Sequence, residues 1–193
     1  SAMRRLFQVM FLLGSRFICC GQDTDARSGY GLEADAIGGK VFKHEAKFTL
    51  PIPEFSTGVN INFLRHSDGS RTWQQRRGYP SFGIALAYIN YGIDSIYGRC
   101  YAVYPNLILP IVRTRKFTWD LTIGNGIGYV TRQYNRTSPV DTINVAIGNH
   151  INDFIMLLTD ARWHVNTHID VQAGANITHI SNGSYRKPNL GVN

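Results

Sequence analysis

The chain has 193 residues with 17% charged side chains, and it carries 19 glycines, 10 tyrosines and 10 phenylalanines. This length suits one domain, and the abundance of glycine and aromatic residues favours β structure with many turns over a helical fold. The formal net charge of +7 indicates an anionic partner, such as nucleic acid, a membrane surface or a phosphorylated lipid, although basic residues in solvated loops explain it equally well.

The first 27 residues are predicted to be a secretory signal peptide and leader. Two arginines precede a short apolar run from Leu6 to Leu13, which is too short to span a membrane as a helix. Cleavage is expected between about Gln22 and Arg27. Removal of this leader leaves Cys100 as the only cysteine, so the mature chain, residues 28–193, has no internal disulfide, zinc cluster or thiol pair.

Alternation of apolar with small or polar residues recurs along the rest of the chain, and it predicts about eight or nine strands. The segments lie around residues 28–39, 43–51, 59–63, 82–88, 97–112, 117–124, 143–148, 155–165 and 169–177. Many reach the roughly 9–11 residues that a tilted transmembrane strand needs. Aromatic residues near the strand ends are typical of interfacial belts. We therefore expect an all-β fold, an antiparallel up-and-down transmembrane β-barrel of about eight strands, although a soluble barrel or sandwich would alternate in the same way.

Two motifs with possible chemistry have simpler explanations. The run GNGIGYV, Gly124–Val130, resembles a phosphate-binding glycine loop, but no helix pattern follows it, so we expect its glycines to let strands pack closely. His164 and His168 would share a face on a helix, but on a hairpin they do not converge and no carboxylate motif accompanies them. No metal site is predicted.

The last predicted strand carries two polar residues on its apolar side. Apolar residues alternate from Ile169 to Ile177, and His179 and Ser181 then take the same parity. Two residues apart on a strand, their side chains leave the same face roughly 6.5–7 Å apart, which lets an imidazole nitrogen approach a serine hydroxyl. A polar strand end at a membrane interface is the alternative explanation.

The stretch HISNGSYRKPNLGVN, residues 179–193, resembles the signature of the lipid A 3-O-deacylase family, also called the acyloxyacyl hydrolase family of outer-membrane proteins. Members carry a His-x-Ser-Asn-(Ala/Gly) run followed by a Pro-Asn-x-Gly segment, and weaker similarity extends upstream over most of the mature chain. The resemblance implies an eight-stranded barrel in the bacterial outer membrane, with its active site on the lipid-facing wall, lipid A or lipopolysaccharide as substrate and no cofactor.

The resemblance also implies roles for individual residues. Ser181 would attack the ester carbonyl of an acyl chain, and His179 would take the serine proton and return it to the sugar hydroxyl that leaves. The backbone amide of Gly183 and the side chain of Asn189 would stabilise the oxyanion.

The chain departs from the family pattern at the residue that orients the histidine. The family has an acidic residue about a dozen positions after the serine, whereas this chain has Asn193 there and no acidic residue after Asp170. Asn193 is therefore the predicted third catalytic residue, although an amide in place of the acid can cost about 10⁴ in rate. The family also adds a closing strand after this loop, so we expect either a C-terminal truncation or an extra strand from the N-terminal segment.

The leading hypothesis is an outer-membrane esterase that hydrolyses an ester-linked acyl chain of lipid A. Arg186 and Lys187 would contact the lipid phosphates, an inference from their charge, and nucleic acid is not an expected partner. The alternative hypothesis is a non-catalytic outer-membrane barrel with a lipid-binding or structural role. A soluble ligand-carrying barrel is a weaker third possibility.

Overall fold

The structure, a computed structural model, describes residues 14–19, 29–42, 50–137, 144–165, 169–183, 185–188 and 190–192, with the backbone alone for 14–19 and 169. These described residues form eight strands and one short helix. These are β1 Gly14–Cys19, β2 Gly29–Gly39, β3 Ser56–His66, α1 Thr72–Arg76, β4 Ser81–Asn90, β5 Arg99–Arg113, β6 Phe117–Val130, β7 Ile151–His164 and β8 Ile169–Ser181.

The strands form a closed antiparallel barrel in sequence order, β1 to β8. The seven longer strands, β2 to β8, pair with their neighbours along the chain through long ladders, and the ladder between β5 and β6 has a register shift between Pro110 and Val112. The short β1 pairs with β8 from Gly14 to Cys19 and touches β2 through one pair, Arg16 with Asp35. The predicted all-β up-and-down barrel is confirmed. Because β1 falls within the predicted leader, the boundaries of that leader stay a prediction.

The two faces of the wall differ in the way the alternation predicts. Outward positions along β3, β4, β6 and β7 are occupied mainly by exposed apolar side chains, whereas the inward positions are buried. The same holds in β8, where Val171 is exposed and Gln172 is buried. Among the described residues no helix has the length and apolar character needed to cross a membrane.

The two ends of the barrel carry different connections. At one end, here called the loop end, the connections are residues 40–55, 91–98 and 131–150, and β8 ends there at Ser181. At the other end, the turn end, two connections are very short, residues 114–116 and 165–168. The connection that contains α1, residues 67–80, is longer.

The lumen is apolar near the loop end and polar near the turn end. The apolar half is filled by Tyr104, Phe154 and Ile180, among other buried residues, and the rings of Tyr104 and Phe154 lie 5.2 Å apart. In the polar half, Arg162 forms an ion pair with Glu33 across the lumen and donates a hydrogen bond to Gln172 Oε1 at 2.9 Å. The glycines Gly124, Gly126 and Gly128 lie within β6, not in a phosphate loop.

Two predicted strands differ from the structure. The strand predicted over residues 143–148 is wrong for its described part, since residues 144–150 form a loop. Its alternation breaks because Ala146 and Ile147 are consecutive and both buried. The segment instead pairs with the C-terminal residues, because Leu190 N donates to Val145 O at 3.2 Å. Of the strand predicted over 43–51, residues 43–49 lie outside the described residues, and residues 50 and 51 are not in a strand.

The histidine pair of the hairpin between β7 and β8 is only half described. His164 Nδ1 lies 2.8 Å from Asp170 Oδ1, and its Nε2 lies 3.1 Å from Thr118 Oγ1. Both ring nitrogens of His164 therefore have partners within the polar half of the lumen. His168 lies outside the described residues.

Candidate active site

His179 and Ser181 occupy the loop end of β8 and face outward from the barrel. His179 Nε2 lies 3.1 Å from Ser181 Oγ, which is hydrogen-bond distance. Ile180 between them points the other way and is buried in the apolar half of the lumen. The alternation of the strand thus places two polar groups outside and anchors the backbone that carries them inside.

The anchor residue fits against neighbouring strands. In the β7 to β8 ladder, Ile180 pairs with Phe154, and both side chains are buried. A Cβ on Gly128 of β6 would come within 2.7 Å of Ile180 Cδ1, so the absence of a side chain there makes room for the isoleucine. This packing fixes the positions of His179 and Ser181 along the barrel axis.

The C-terminal segment pairs with β8 near the end of the strand, beyond the residues of β8 that pair with β1. Val192 and Ile180 exchange two backbone hydrogen bonds, of 2.8 and 2.9 Å. The preceding residue, Gly191, has φ +75°, and a Cβ built on it would lie 2.7 Å from His179 Cε1. The backbone of Gly191 therefore lies directly against the imidazole ring and limits the positions that the ring can take.

The loop after Ser181 is stabilised by Asn182. The side-chain Nδ2 of Asn182 donates to Arg186 O at 2.9 Å, and the backbone carbonyl of Asn182 accepts a hydrogen bond from Tyr185 N at 3.1 Å. Gly183 has φ +61° and open space where a Cβ would be. The side chains of Tyr185, Arg186 and Lys187 are all exposed, so this loop presents one aromatic and two cationic groups beside the site.

The loop of residues 144–150 supports the site from the side of the lumen. Gly191 N donates to Ala146 O at 2.9 Å. A Cβ on Gly148 would come within 2.5 Å of both Arg186 O and Pro188 O, so the two loops lie in close contact. Sequence reasoning missed this support, because it assigned the segment to a strand of the wall.

The structure brings together the predicted site residues that it describes. His179 and Ser181 are in contact, and Gly183, Arg186 and Lys187 lie in the loop that follows them. Asn189 and Asn193, the predicted oxyanion donor and third catalytic residue, lie outside the described residues.

Two further polar residues near the site were not predicted. Asp153 of β7 is the register partner of Ser181, and Asn125 of β6 donates a hydrogen bond from Nδ2 to Asp153 Oδ1 at 3.1 Å. Both face outward. Polar residues at outward positions of otherwise alternating strands were the available sequence signal, but only the register between strands places them beside Ser181.

Comparison with protein families agrees with this geometry. The family model described as Lipid A 3-O-deacylase (PagL) matches residues 57–193, which include all the candidate site residues. No curated protein and no solved structure shows significant similarity to the chain. The match covers more than half of the chain and confirms the resemblance at its C-terminal end. The chain belongs to the lipid A 3-O-deacylase (PagL) family.

Proposed function

We propose that the protein is an outer-membrane esterase that hydrolyses an ester-linked acyl chain of lipid A through Ser181 and His179. Family membership implies lipid A 3-O-deacylase activity. The observation that carries the mechanism is the 3.1 Å contact between His179 Nε2 and Ser181 Oγ on the outward face of the barrel. A nucleophile within hydrogen-bond reach of its base is the arrangement that acyl transfer requires.

The reaction follows from that contact. As Ser181 Oγ forms a bond to the ester carbonyl carbon, its proton passes to His179 Nε2. The tetrahedral intermediate then breaks the bond to the sugar oxygen, which receives the proton from His179. Water, activated by the same imidazole, hydrolyses the acyl-serine and releases the fatty acid. The Gly183 amide and the Asn189 side chain are the proposed donors to the oxyanion.

The outward apolar face supports a position in a membrane. Strands β5 to β8 each have at least 13 residues, more than the roughly 9–11 that a tilted transmembrane strand needs. Outer-membrane barrels have short periplasmic turns and longer external loops. We therefore assign the loop end to the cell exterior, which places Ser181 at the outer leaflet, where its proposed substrate resides. The predicted signal peptide would direct export.

The cationic groups beside the site suit a phosphorylated substrate. Arg186 and Lys187 are exposed in the loop that follows Ser181, and guanidinium and ammonium groups bind phosphate strongly. The alternative, a porin-like barrel, gains no support from the lumen, because buried apolar side chains fill the described part of its loop end.

The mechanism is tested by covalent labelling. A fluorophosphonate probe should react with the purified, detergent-solubilised protein at Ser181, as mapped by peptide mass spectrometry, and should block fatty-acid release from lipid A. The Ser181→Ala variant is the control for labelling at other sites. Full inhibition of fatty-acid release by a probe that leaves Ser181 unlabelled would contradict the proposed nucleophile.

If the outward face contacts the membrane, an arginine placed on it should lower the free energy of unfolding by an amount that depends on its depth in the bilayer. Leu157, at the middle of β7, is 45% exposed on the outward face, whereas Val165, one residue beyond the strand, is 62% exposed. Leu157→Arg should lower the free energy of unfolding in lipid vesicles by about 2–4 kcal/mol, and Val165→Arg by about 0–1 kcal/mol. Denaturant titration measures both values. Equal small costs at the two positions would mean that the apolar face does not contact hydrocarbon.

The third catalytic residue is tested at Asn193. If Asn193 orients His179, then Asn193→Glu or Asn193→Asp should raise the rate of deacylation, because a carboxylate stabilises the imidazolium that forms during the reaction. Asn193→Ala should lower the rate. The rate of fatty-acid release from lipid A in detergent measures each variant, and an unchanged rate in all three would exclude a catalytic role for Asn193.

A further inference from the structure

The turn end of the barrel, opposite the candidate site, carries a concentration of positive charge. The connection that contains α1, together with the last residue of β5 and the turn that follows it, holds six cationic side chains and one carboxylate, that of Asp68. All six cations are exposed. They are here called the basic surface and are Arg71, Arg76, Arg77, Arg113, Arg115 and Lys116.

The two segments that carry these cations lie side by side. Strand β4 follows the connection that contains α1, and it pairs with β5, which leads into the turn of residues 114–116. A Cβ built on Gly78 would lie 3.3 Å from Pro110 Cγ, so the chain that follows α1 packs against β5 near its end. The six cations therefore occupy neighbouring parts of one surface.

Carboxylates of the protein leave this surface positively charged. In the part of the chain that the structure describes, Arg99, Arg162 and His164 form ion pairs, whereas the cations of residues 71–77 and 114–116 form none. The carboxylate of Asp68 accepts a hydrogen bond from Ser70 N at 2.9 Å, within its own turn. Because like charges that lie close together repel one another, this surface favours an anionic ligand.

The connection that contains α1 is a folded unit with its own hydrogen bonds. Gln75 Nε2 donates to Gly69 O at 2.7 Å, and Tyr79 N donates to Gln74 O at 2.8 Å. These contacts join the start of the connection to α1, and α1 to the segment that leads into β4. The arginines around α1 are therefore presented from a defined backbone.

Trp73 places this unit against the outward apolar face of the barrel. Its exposed ring packs edge-on against Phe82, an exposed outward residue at the start of β4, with the ring centroids 5.9 Å apart. Tyr30 and Trp163 are also exposed at the turn end of their strands. Aromatic side chains in such positions are typical of a boundary between membrane and water. The neighbouring arginines then lie at the level of the lipid headgroups.

We infer that the basic surface binds the phosphate groups of anionic phospholipids, in the leaflet opposite that of the proposed substrate. This inference rests on the membrane position given under the proposed function. A phosphodiester headgroup offers negative charge and acceptor oxygens to guanidinium groups, while its acyl chains lie against the apolar wall and the ring of Trp73. An acidic polypeptide would match the charge but not the apolar face beside it.

The fluorescence of Trp73 tests the inference. The chain has three tryptophans, so Trp119→Phe/Trp163→Phe leaves Trp73 as the only one. This parent protein is placed in nanodiscs of phosphatidylcholine that contain a minor fraction of either brominated phosphatidylglycerol or brominated phosphatidylcholine. Since bromine quenches tryptophan only at short range, the ratio of the two quenching constants measures the preference for the anionic headgroup beside Trp73. We expect phosphatidylglycerol to be preferred by at least about 5-fold, the effect of one basic residue near an anionic surface.

Removal of charge should remove the preference. Arg76→Gln/Arg77→Gln should lower the quenching ratio, and so should Arg115→Gln/Lys116→Gln. The four substitutions together should bring the ratio to within about 2-fold of unity, and added salt should lower the ratio of the parent.

Arg132→Gln/Arg136→Gln is the charge-matched control. It removes two exposed cations from the loop end and should leave the quenching ratio at Trp73 unchanged. Heat-modifiable gel mobility shows whether each variant is folded.

The outcomes separate this inference from the proposed function. A preference that survives the four substitutions would overturn the basic surface as a lipid site, as would equal quenching by the two lipids in the parent. Retention of the protein on immobilised polyglutamate would then assign the surface to an acidic polypeptide. Quenching by neither lipid would overturn the inference and also place Trp73 outside the membrane. Catalysis does not enter this measurement, so an active Ser181→Ala protein would refute the esterase mechanism and leave the lipid preference as measured.

Discussion

Ser181→Ala is expected to reduce fatty-acid release from lipid A by at least about 10⁴-fold, because it removes the proposed nucleophile. His179→Asn should have a similar effect, since Nε2 of His179 lies 3.1 Å from Ser181 Oγ and is the proposed base. The double variant should be no worse than either single variant, because nucleophile and base act as one unit. Fatty acid released from purified lipid A in detergent measures all three.

The fold of these variants is checked independently of their activity. Both side chains face outward and the buried anchor, Ile180, is unchanged, so heat-modifiable gel mobility should match that of the parent protein. A Ser181→Ala protein with normal mobility and parental activity would refute the esterase mechanism. The non-catalytic barrel would then be the better hypothesis.

Gly191→Ala is expected to lower kcat for lipid A by at least about 100-fold, the cost of a displacement of about 1 Å in a catalytic group. Its new Cβ would lie 2.7 Å from His179 Cε1 and 3.1 Å from Ile180 O. Since Ile180 is held by its ladder and by the lumen, the imidazole is the group that moves. The affected quantity should be kcat rather than KM, because Gly191 contacts the proposed base.

Gly78→Ala is the matched control for the backbone strain that an alanine introduces at Gly191. Gly78 has φ +71°, close to the φ of +75° at Gly191, and lies at the turn end, far from Ser181. Both variants should lose similar stability from an alanine in the left-handed region, but only Gly191→Ala should lose activity. Equal activity of the two variants, measured at temperatures where both are folded, would show that Gly191 does not constrain His179.

The strands of the wall were predictable because each has one face against the lumen and one against its surroundings. This condition produces alternation, which places β2 to β8 in the sequence. The prediction over residues 143–148 failed for its described part, where Asn144 and Ile147 follow the pattern of wall residues but are buried in a loop. Local alternation cannot reveal that a segment folds over the mouth of the lumen and pairs with the C-terminal residues.

Part of the candidate site was predictable for the same reason. Parity along β8 placed His179 and Ser181 on one face, and the structure brings their side chains into contact. The positions of Asp153 and Gly191 relative to them depend on interstrand register and on a left-handed backbone contact. Neither is encoded in the spacing of residues along one strand, so neither could be predicted.

Because His179 and Ser181 face outward, the proposed reaction would take place in the plane of the membrane leaflet, in two dimensions. Substrate and fatty acid would arrive and depart by lateral diffusion in the leaflet, without crossing the lumen or entering water. The concentration that governs the rate is then the mole fraction of lipid A among the surrounding amphiphiles. At fixed protein and lipid A, added neutral detergent would slow turnover by surface dilution, while a change in the volume of the aqueous phase would leave it unaltered.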